Sequence, residues 1–169
     1  MGQVAGDQDD RPGDVRLPAG ADAGRRTVTL TVIGVVRSAN RRDETAPKNP
    51  TEARSRGEPA DLLVDEPYRP GLVGLEDYSH LIVLAWLDAA RRDLIQITRP
   101  SSPKPRGVFA LRSPVRPNPI ALSVARILAV DAVAGRVRID AIDLIDGTPI
   151  LDIKPYRPGI DAIPDAVVP

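Results

Sequence analysis

No cysteine occurs in the 169 residues, and there is one histidine, His80. Without a thiol, disulfides, iron–sulfur clusters, thiolate metal sites and a cysteine nucleophile are excluded, and a reducing compartment is the natural home. One histidine argues against a histidine-cluster metal centre, so no metal is expected, and His80 at the start of an apolar run reads as structural. Aromatic residues supply only 3% of the chain, against 42% hydrophobic residues overall. The core must therefore be built from Val, Ile, Leu and Ala, a β-branched mixture that suits pleated surfaces. No stretch approaches the roughly 18 apolar residues of a membrane span, and the first residues carry no apolar signal core, so a soluble, cytoplasmic protein without a membrane partner is expected. A glycine-rich dinucleotide loop and a Walker lysine loop are also missing.

Charge is balanced overall, 23 basic against 23 acidic residues, but unevenly placed. Between Leu94 and Val130 stand Arg99, Lys104, Arg106, Arg112, Arg116 and Arg126 with no acid among them. Such a window suits a phosphate or carboxylate, or equally a solvated loop paired with distant acids.

The length fits one domain. Residues 1–26 have no aromatic residue and no apolar period, and read as a flexible N-terminal arm; 27–169 form the domain. "TVTLTVIGVV" (27–36) predicts a strand entering the core. The polar, proline-punctuated stretch 37–61 predicts a long functional or disordered loop. Strands are predicted at "LLV" (62–64), "LIVLAWL" (81–87, central and buried), "LIQITR" (94–99), "VFALR" (108–112) and "PILDIKPY" (149–156), with "PSSPKPRG" as a proline-broken connection. Around Ala134-Gly135, two further runs predict an antiparallel hairpin. Six or seven strands with almost no helix favour a single small β-barrel or sandwich over a doubly wound sheet. Trp86 and Phe109 are expected in the core.

Polar motifs gather at strand ends: "PKN" (47–49), "LRSPVRPNP" (111–119), "DLIDGTP" (143–149) and "LDIKPY" (151–156). In a barrel, such ends meet at a rim, where sites tend to form. Three prolines within eight residues, Pro114, Pro117 and Pro119, hold their segment extended, so a ligand would order it at little entropic cost.

The segments "IGVVRS", "GLEDYSHLIVLAW", "GVFALRSPVRPNPIALSV" and "DLIDGTPILDIKPY" together resemble the TsaA-like family, which includes tRNA methyltransferases of the TrmO and YaeB type and VirR-type relatives. The resemblance spans roughly 28–165. It implies a small β-barrel that binds S-adenosylmethionine without a Rossmann fold, as a homodimer with the cofactor near the subunit interface. The implied reaction is N6-methylation of threonylcarbamoyl-adenosine at position 37 of tRNA, beside the anticodon. Carried over residue by residue, the cofactor site would comprise Pro47, Lys48, Asn49, Asp88, Arg112, Leu122, Asp143, Leu144, Ile145 and Asp146. Lys48 and Asn49 stand where the family has Arg and Gln, and Asp88 where it has His, which changes reach and geometry at two corners. Arg112 or Lys48 suits the ligand carboxylate, Asp143 or Asp146 its ribose or amine, and Leu122 its adenine. Methyl transfer from a sulfonium needs placement more than covalent help. Asp152, Lys154 and Tyr156 are the candidates to orient the acceptor or relay its proton, with closing the barrel as their alternative role. The anticodon loop would be met by Arg99, Lys104, Arg106, Arg116 and Asn118. The chain stops at Pro169, short of the C-terminal domain of longer members, which points to different RNA handling or another acceptor. A non-catalytic S-adenosylmethionine-binding regulatory barrel and a plain RNA-binding barrel stay open as alternatives.

Overall fold

The computed structural model describes residues 10–41, 46–99 and 102–168. These residues form nine strands: β1 (Val15–Arg16), β2 (Gly34–Arg37), β3 (Ala60–Val64), β4 (His80–Trp86), β5 (Leu94–Arg99), β6 (Ser102–Gly107), β7 (Ile120–Asp131), β8 (Arg136–Ile139) and β9 (Pro149–Pro155). Six of them close into an antiparallel barrel in the order β2-β3-β8-β7-β4-β9. The all-β expectation holds, and the barrel is the form it takes. Apolar residues at alternate positions point inward: Leu81, Val83 and Ala85 of β4 are buried, whereas His80, Ile82, Leu84 and Trp86 are half-buried on the outer face. Facing them inside are Val36, Leu62, Val137, Ile139 and Ile150, all fully buried. An aliphatic core of this kind follows from the scarcity of aromatic residues.

Two glycines permit close approach. A Cβ on Gly34 would sit 2.0 Å from the Leu63 carbonyl oxygen, where β2 crosses β3. Gly135 adopts φ 71° in the turn between β7 and β8, the predicted hairpin, and Asp131 Oδ1 closes that turn by accepting from the Ala134 N–H at 2.8 Å.

The remaining strands form a second sheet beside the barrel, in the order β1-β5-β6. Part of the stretch expected to be a flexible arm is thus paired, and residues 1–9 of that arm lie outside the described residues. Arg16 bonds Asp10 and Asp93, and Arg91 bonds the same two carboxylates at 2.7 and 2.8 Å. The arginine hydrogen bonds hold the Asp10 and Asp93 carboxyls below their ordinary range. Low apolar content did not leave this stretch unpaired, because charge pairs and backbone bonds to β5 replace the missing hydrophobic contact.

Four local expectations are corrected. Stretch 27–36 yields regular strand only from Gly34, since Val28, Leu30 and Val32 are exposed and find no partner strand among the described residues. Stretch 108–112 forms a 3-10 turn at Val108–Ala110, leaving Phe109 79% exposed outside the core. Trp86 is half-buried under the Arg92 guanidinium, 4.7 Å from the ring centroid. Conversely, "SPKPRG" is β6: its prolines are tolerated because an edge strand leaves every second N–H unpaired.

Candidate active-site cleft

Inside the long polar loop lies a helix, α1 (Pro50–Arg56), where the sequence pattern predicts only loop. The Asn49 side chain caps it by accepting from the Glu52 N–H at 2.9 Å, and Glu52 accepts in return from the Lys48 N–H at 3.0 Å. Pro50 occupies its first turn, and Gly57 ends it at φ 66°. Asn-Pro-x-Glu followed by a glycine is the signal that would have found it. The bond from Lys48, reinforced by Arg56, lowers the Glu52 carboxyl pKa. Arg54 Nη2 donates to the Val124 carbonyl at 2.6 Å. This contact ties α1 to β7 and places the "PKN" turn over the end of the barrel.

Opposite that turn stands the proline segment. Pro119 is fully buried, and its carbonyl accepts from the Leu87 N–H at 2.9 Å. Arg116 donates to the Leu111 and Val108 carbonyls, each at 3.3 Å, while its N–H meets the Arg91 carbonyl. Its guanidinium is largely committed to holding the segment's shape. Among the described residues Arg112 makes one side-chain bond, Nη2 to the Leu122 carbonyl at 2.7 Å, and is otherwise exposed. Of the two arginines, Arg112 keeps more donors for a ligand.

The third wall is the loop before β9. Buried Asn40 donates from Nδ2 to the Ile142 and Leu144 carbonyls at 2.8 and 2.9 Å, and Ser38 Oγ donates to the Leu144 carbonyl at 2.9 Å. Asp146 accepts from the Ser38 N–H and pairs with Arg37 and Arg41. Asp143 in turn accepts from Ser123 Oγ at 3.0 Å. Neither Asn40 nor Ser38 stands out in the sequence, because nothing local marks a polar residue in a loop as buried.

Between these walls opens a cleft of about 600 Å³, within the range of small-ligand sites. Lys48, Asn49, Arg112 and Asp143 supply its charge and polarity, Leu87, Ile120, Ala121 and Leu122 its apolar side, and Pro47, Leu144, Arg99 and Arg116 also line it. Seven of the ten residues expected at the cofactor therefore meet in one place. The other three lie elsewhere: Ile145 is buried, Asp146 ties two loops together, and Asp88 is exposed at the corner after β4, its carbonyl accepting from Arg92.

Of the residues expected at RNA, Arg99 and Arg116 face the cleft, Lys104 and Arg106 are exposed on β6, and Asn118 is exposed beside the buried Pro119. Asp152, Lys154 and Tyr156 do not line the cleft. They follow β9 away from it, with Asp152 beside Leu84, Lys154 beside Ile82 and the Tyr156 N–H bonded to the His80 carbonyl. An ion pair of 2.5 Å joins Lys154 to Asp152. No group of three or more metal-ligating side chains occurs among the described residues, nor is any described helix long and apolar enough to cross a membrane.

Residues 35–162 match the family described as the tRNA-methyltransferase O N-terminal domain. The chain is 39% identical over 134 residues to an S-adenosyl-L-methionine-binding protein of Archaeoglobus fulgidus, covering 79% of this chain and 93% of that protein. It is 34% identical over 142 residues to the tRNA (adenine(37)-N6)-methyltransferase of Escherichia coli K12, covering 79% of this chain and 60% of that one. Among solved structures, it superposes on TrmO from Pseudomonas aeruginosa with a TM-score of 0.66 at 36% identity, over 84% of this chain and 62% of that one. A second TrmO crystal structure gives 0.69 at 36% identity, over 85% and 64%. The chain thus spans less than two thirds of the length of the Escherichia coli methyltransferase and of the solved structures it matches.

Proposed function

The chain belongs to the tRNA-methyltransferase O N-terminal domain family, and on that premise we propose that it is an S-adenosylmethionine-dependent methyltransferase acting on N6 of threonylcarbamoyl-adenosine at position 37 of tRNA. One observation carries the reading: three stretches far apart in sequence, 47–50, 112–123 and 143–144, bring cations, a carboxylate and an apolar wall into a single cleft. The donor set fits the cofactor. Arg112 and Lys48 would hold its carboxylate, Asp143 would accept from its ribose or amine, and Leu87, Ile120 and Leu122 would pack on its adenine. When bound, S-adenosylmethionine supplies an activated methyl group. The chain's own contribution is placement in a partly dehydrated site: the buried Pro119 and the committed Arg116 keep the wall rigid, and Asn40 and Ser123 fix the loop that carries Asp143.

The active unit we propose is a homodimer. Ile82, Leu84, Trp86, Ile120, Leu122 and Val124 form an apolar band on the outer face of β4 and β7. Ile120 and Leu122 are 41% and 47% exposed, and they also line the cleft. A second copy seated on this band would cover apolar surface and close the cleft together. Across a twofold near Leu84, the strands of the two copies run in opposite directions. The β9 end of one copy, with Asp152, Lys154 and Tyr156, would then approach the cleft of the other. In that position these residues orient the acceptor nitrogen or take up its proton. Exposed Arg99, Lys104 and Arg106 supply phosphate contacts along the adjoining sheet.

Calorimetry with S-adenosylmethionine tests the binding step. Arg112→Ala is expected to weaken it tenfold or more, since a charge-assisted contact is worth roughly 1.5–3 kcal/mol; wild-type affinity in the folded variant removes Arg112 from the site. Methyl incorporation into tRNA with and without the threonylcarbamoyl group tests the reaction. Tight cofactor binding without incorporation would favour the regulatory binding role over the enzyme.

A further inference from the structure

Beyond the His80 end of β4 lies a second open cleft of about 560 Å³, lined by Asp77, Tyr78, Ser79, Tyr156, Arg157 and Ile160 among others. The seven residues of β4, His80–Trp86, separate it from the first cleft, about 20 Å end to end at roughly 3.3 Å per residue. Its back wall is fixed. The His80 ring meets Tyr156 edge-on, with centroids 6.5 Å apart, and His80 Nδ1 shares a 2.9 Å hydrogen bond with Ser79 Oγ. Its front is unengaged. Among the described residues the Arg157 guanidinium, the Asp77 carboxylate and the hydroxyls of Tyr78 and Tyr156 have no side-chain partner; Arg157 bonds Asp161 only through its backbone N–H.

The chain has only 3 Tyr, 1 Trp and 1 Phe, yet two of these rings border this one cleft beside an unpaired cation and an unpaired acceptor. Rings offer stacking faces, the guanidinium an anion seat and the carboxylate an acceptor for N–H groups on a base edge. We infer that this cleft seats one unstacked base of single-stranded RNA, with Arg157 holding an anion beside it. The base is held against Tyr78 and Tyr156, and Asp77 accepts from its edge. Two sources of the anion share this chemistry: a backbone phosphate, or a carboxylate carried on the base itself. The inference rests on the tRNA reading above and names where in this chain the acceptor strand is gripped.

The test uses the full chain and a fluorescently labelled anticodon stem–loop, with and without the threonylcarbamoyl group, titrated by anisotropy in the absence of cofactor. Tyr78→Ala and Arg157→Gln are expected to weaken RNA binding about tenfold, whereas Tyr78→Phe retains it. S-adenosylmethionine affinity, measured by calorimetry, and melting temperature stay at wild-type values in all three. A loss in Arg157→Gln confined to the modified RNA identifies the carboxylate; equal losses on both RNAs identify the phosphate. Wild-type RNA affinity in Tyr78→Ala overturns the site, as does a wild-type chain that binds cofactor but neither RNA. Failure of the wild-type chain to bind cofactor would instead sink the methyltransferase reading, and the RNA titration would still decide whether the second cleft holds a base.

Discussion

The closed barrel and the three-stranded sheet beside it are both antiparallel, but different forces hold them. Barrel strands bury a continuous aliphatic core in which Val36, Leu62, Leu81, Val83 and Ile150 see no solvent. The β1-β5-β6 sheet has little apolar interior: its first strand is two exposed residues held by arginine–aspartate pairs and by backbone and side-chain bonds such as Thr98 N–H to Asp14 at 2.6 Å. The first cleft draws on both regions, with Arg99 at the end of β5 and Ile120–Ser123 on β7. A rigid wall thus faces one held by interactions that salt and pH can change.

Leu62→Ala offers the strongest way to break this comparison. Removing a fully buried side chain from the barrel should cost about 2–5 kcal/mol, read by denaturant unfolding. A cost below ~1 kcal/mol would mean that the barrel does not carry global stability. Next comes Asn40→Ala, which strips two hydrogen bonds from the buried Ile142 and Leu144 carbonyls. About 1–3 kcal/mol should be lost, and cofactor affinity should fall with it because the loop that carries Asp143 loses these two ties and keeps those from Ser38 to Leu144 and Asp146 and from Ser123 to Asp143; a stability loss with unchanged affinity would separate the loop from the site. Ile82→Glu on the outer band tests the homodimer proposed above: it should yield monomer in sedimentation experiments where the wild-type chain sediments as a dimer, with little change in melting of the barrel. A variant that stays dimeric would place the interface elsewhere.

The smallest expected effect is local. Asp10 and Asp93 have lowered carboxyl pKa values, chiefly through hydrogen bonds from Arg16 and Arg91 respectively. Their contribution is therefore complete above the ordinary carboxylate pKa of about 4 and is lost as pH falls through the lowered values. The hydrogen-exchange protection factors of 14–17 and β5, taken relative to the intrinsic exchange rate at each pH, should fall on acidification below that range while those of β4 and β7 hold. Asp93→Asn should quicken exchange there already at neutral pH; equal protection of both regions in the variant would contradict the division of forces.

Much of the barrel was legible because its signal is local. The continuous apolar run "LIVLAWL", and the two runs flanking the Ala134-Gly135 turn, mark strands and a hairpin without reference to the rest of the chain. Where burial decided, the sequence was less informative. Val28, Leu30 and Val32 alternate as well as any strand does, yet have no strand to pair with among the described residues. Prolines in "SPKPRG" argued against a strand, but the edge position made them harmless. The site divides in the same way. Resemblance named Lys48, Asn49, Arg112, Leu122 and Asp143, and the fold brings them to one cleft. Asn40 and Ser38 were missed, because their role exists only once the 142–146 loop lies against them.

From composition and pattern alone follow the aliphatic, cysteine-free, all-β character of the chain and the rigidity of its proline segment, since these depend on residue type and on neighbours a few positions away. Tertiary structure alone decided which arginine stays available, which half of the "DLID" turn faces the cleft, and that Tyr78 and Tyr156 line one cleft. Those outcomes depend on which groups distant in sequence are brought within hydrogen-bonding range. Arg112 and Arg116 look alike in the sequence; the carbonyls of Val108 and Leu111 engage one and leave the other's remaining donors to the cleft.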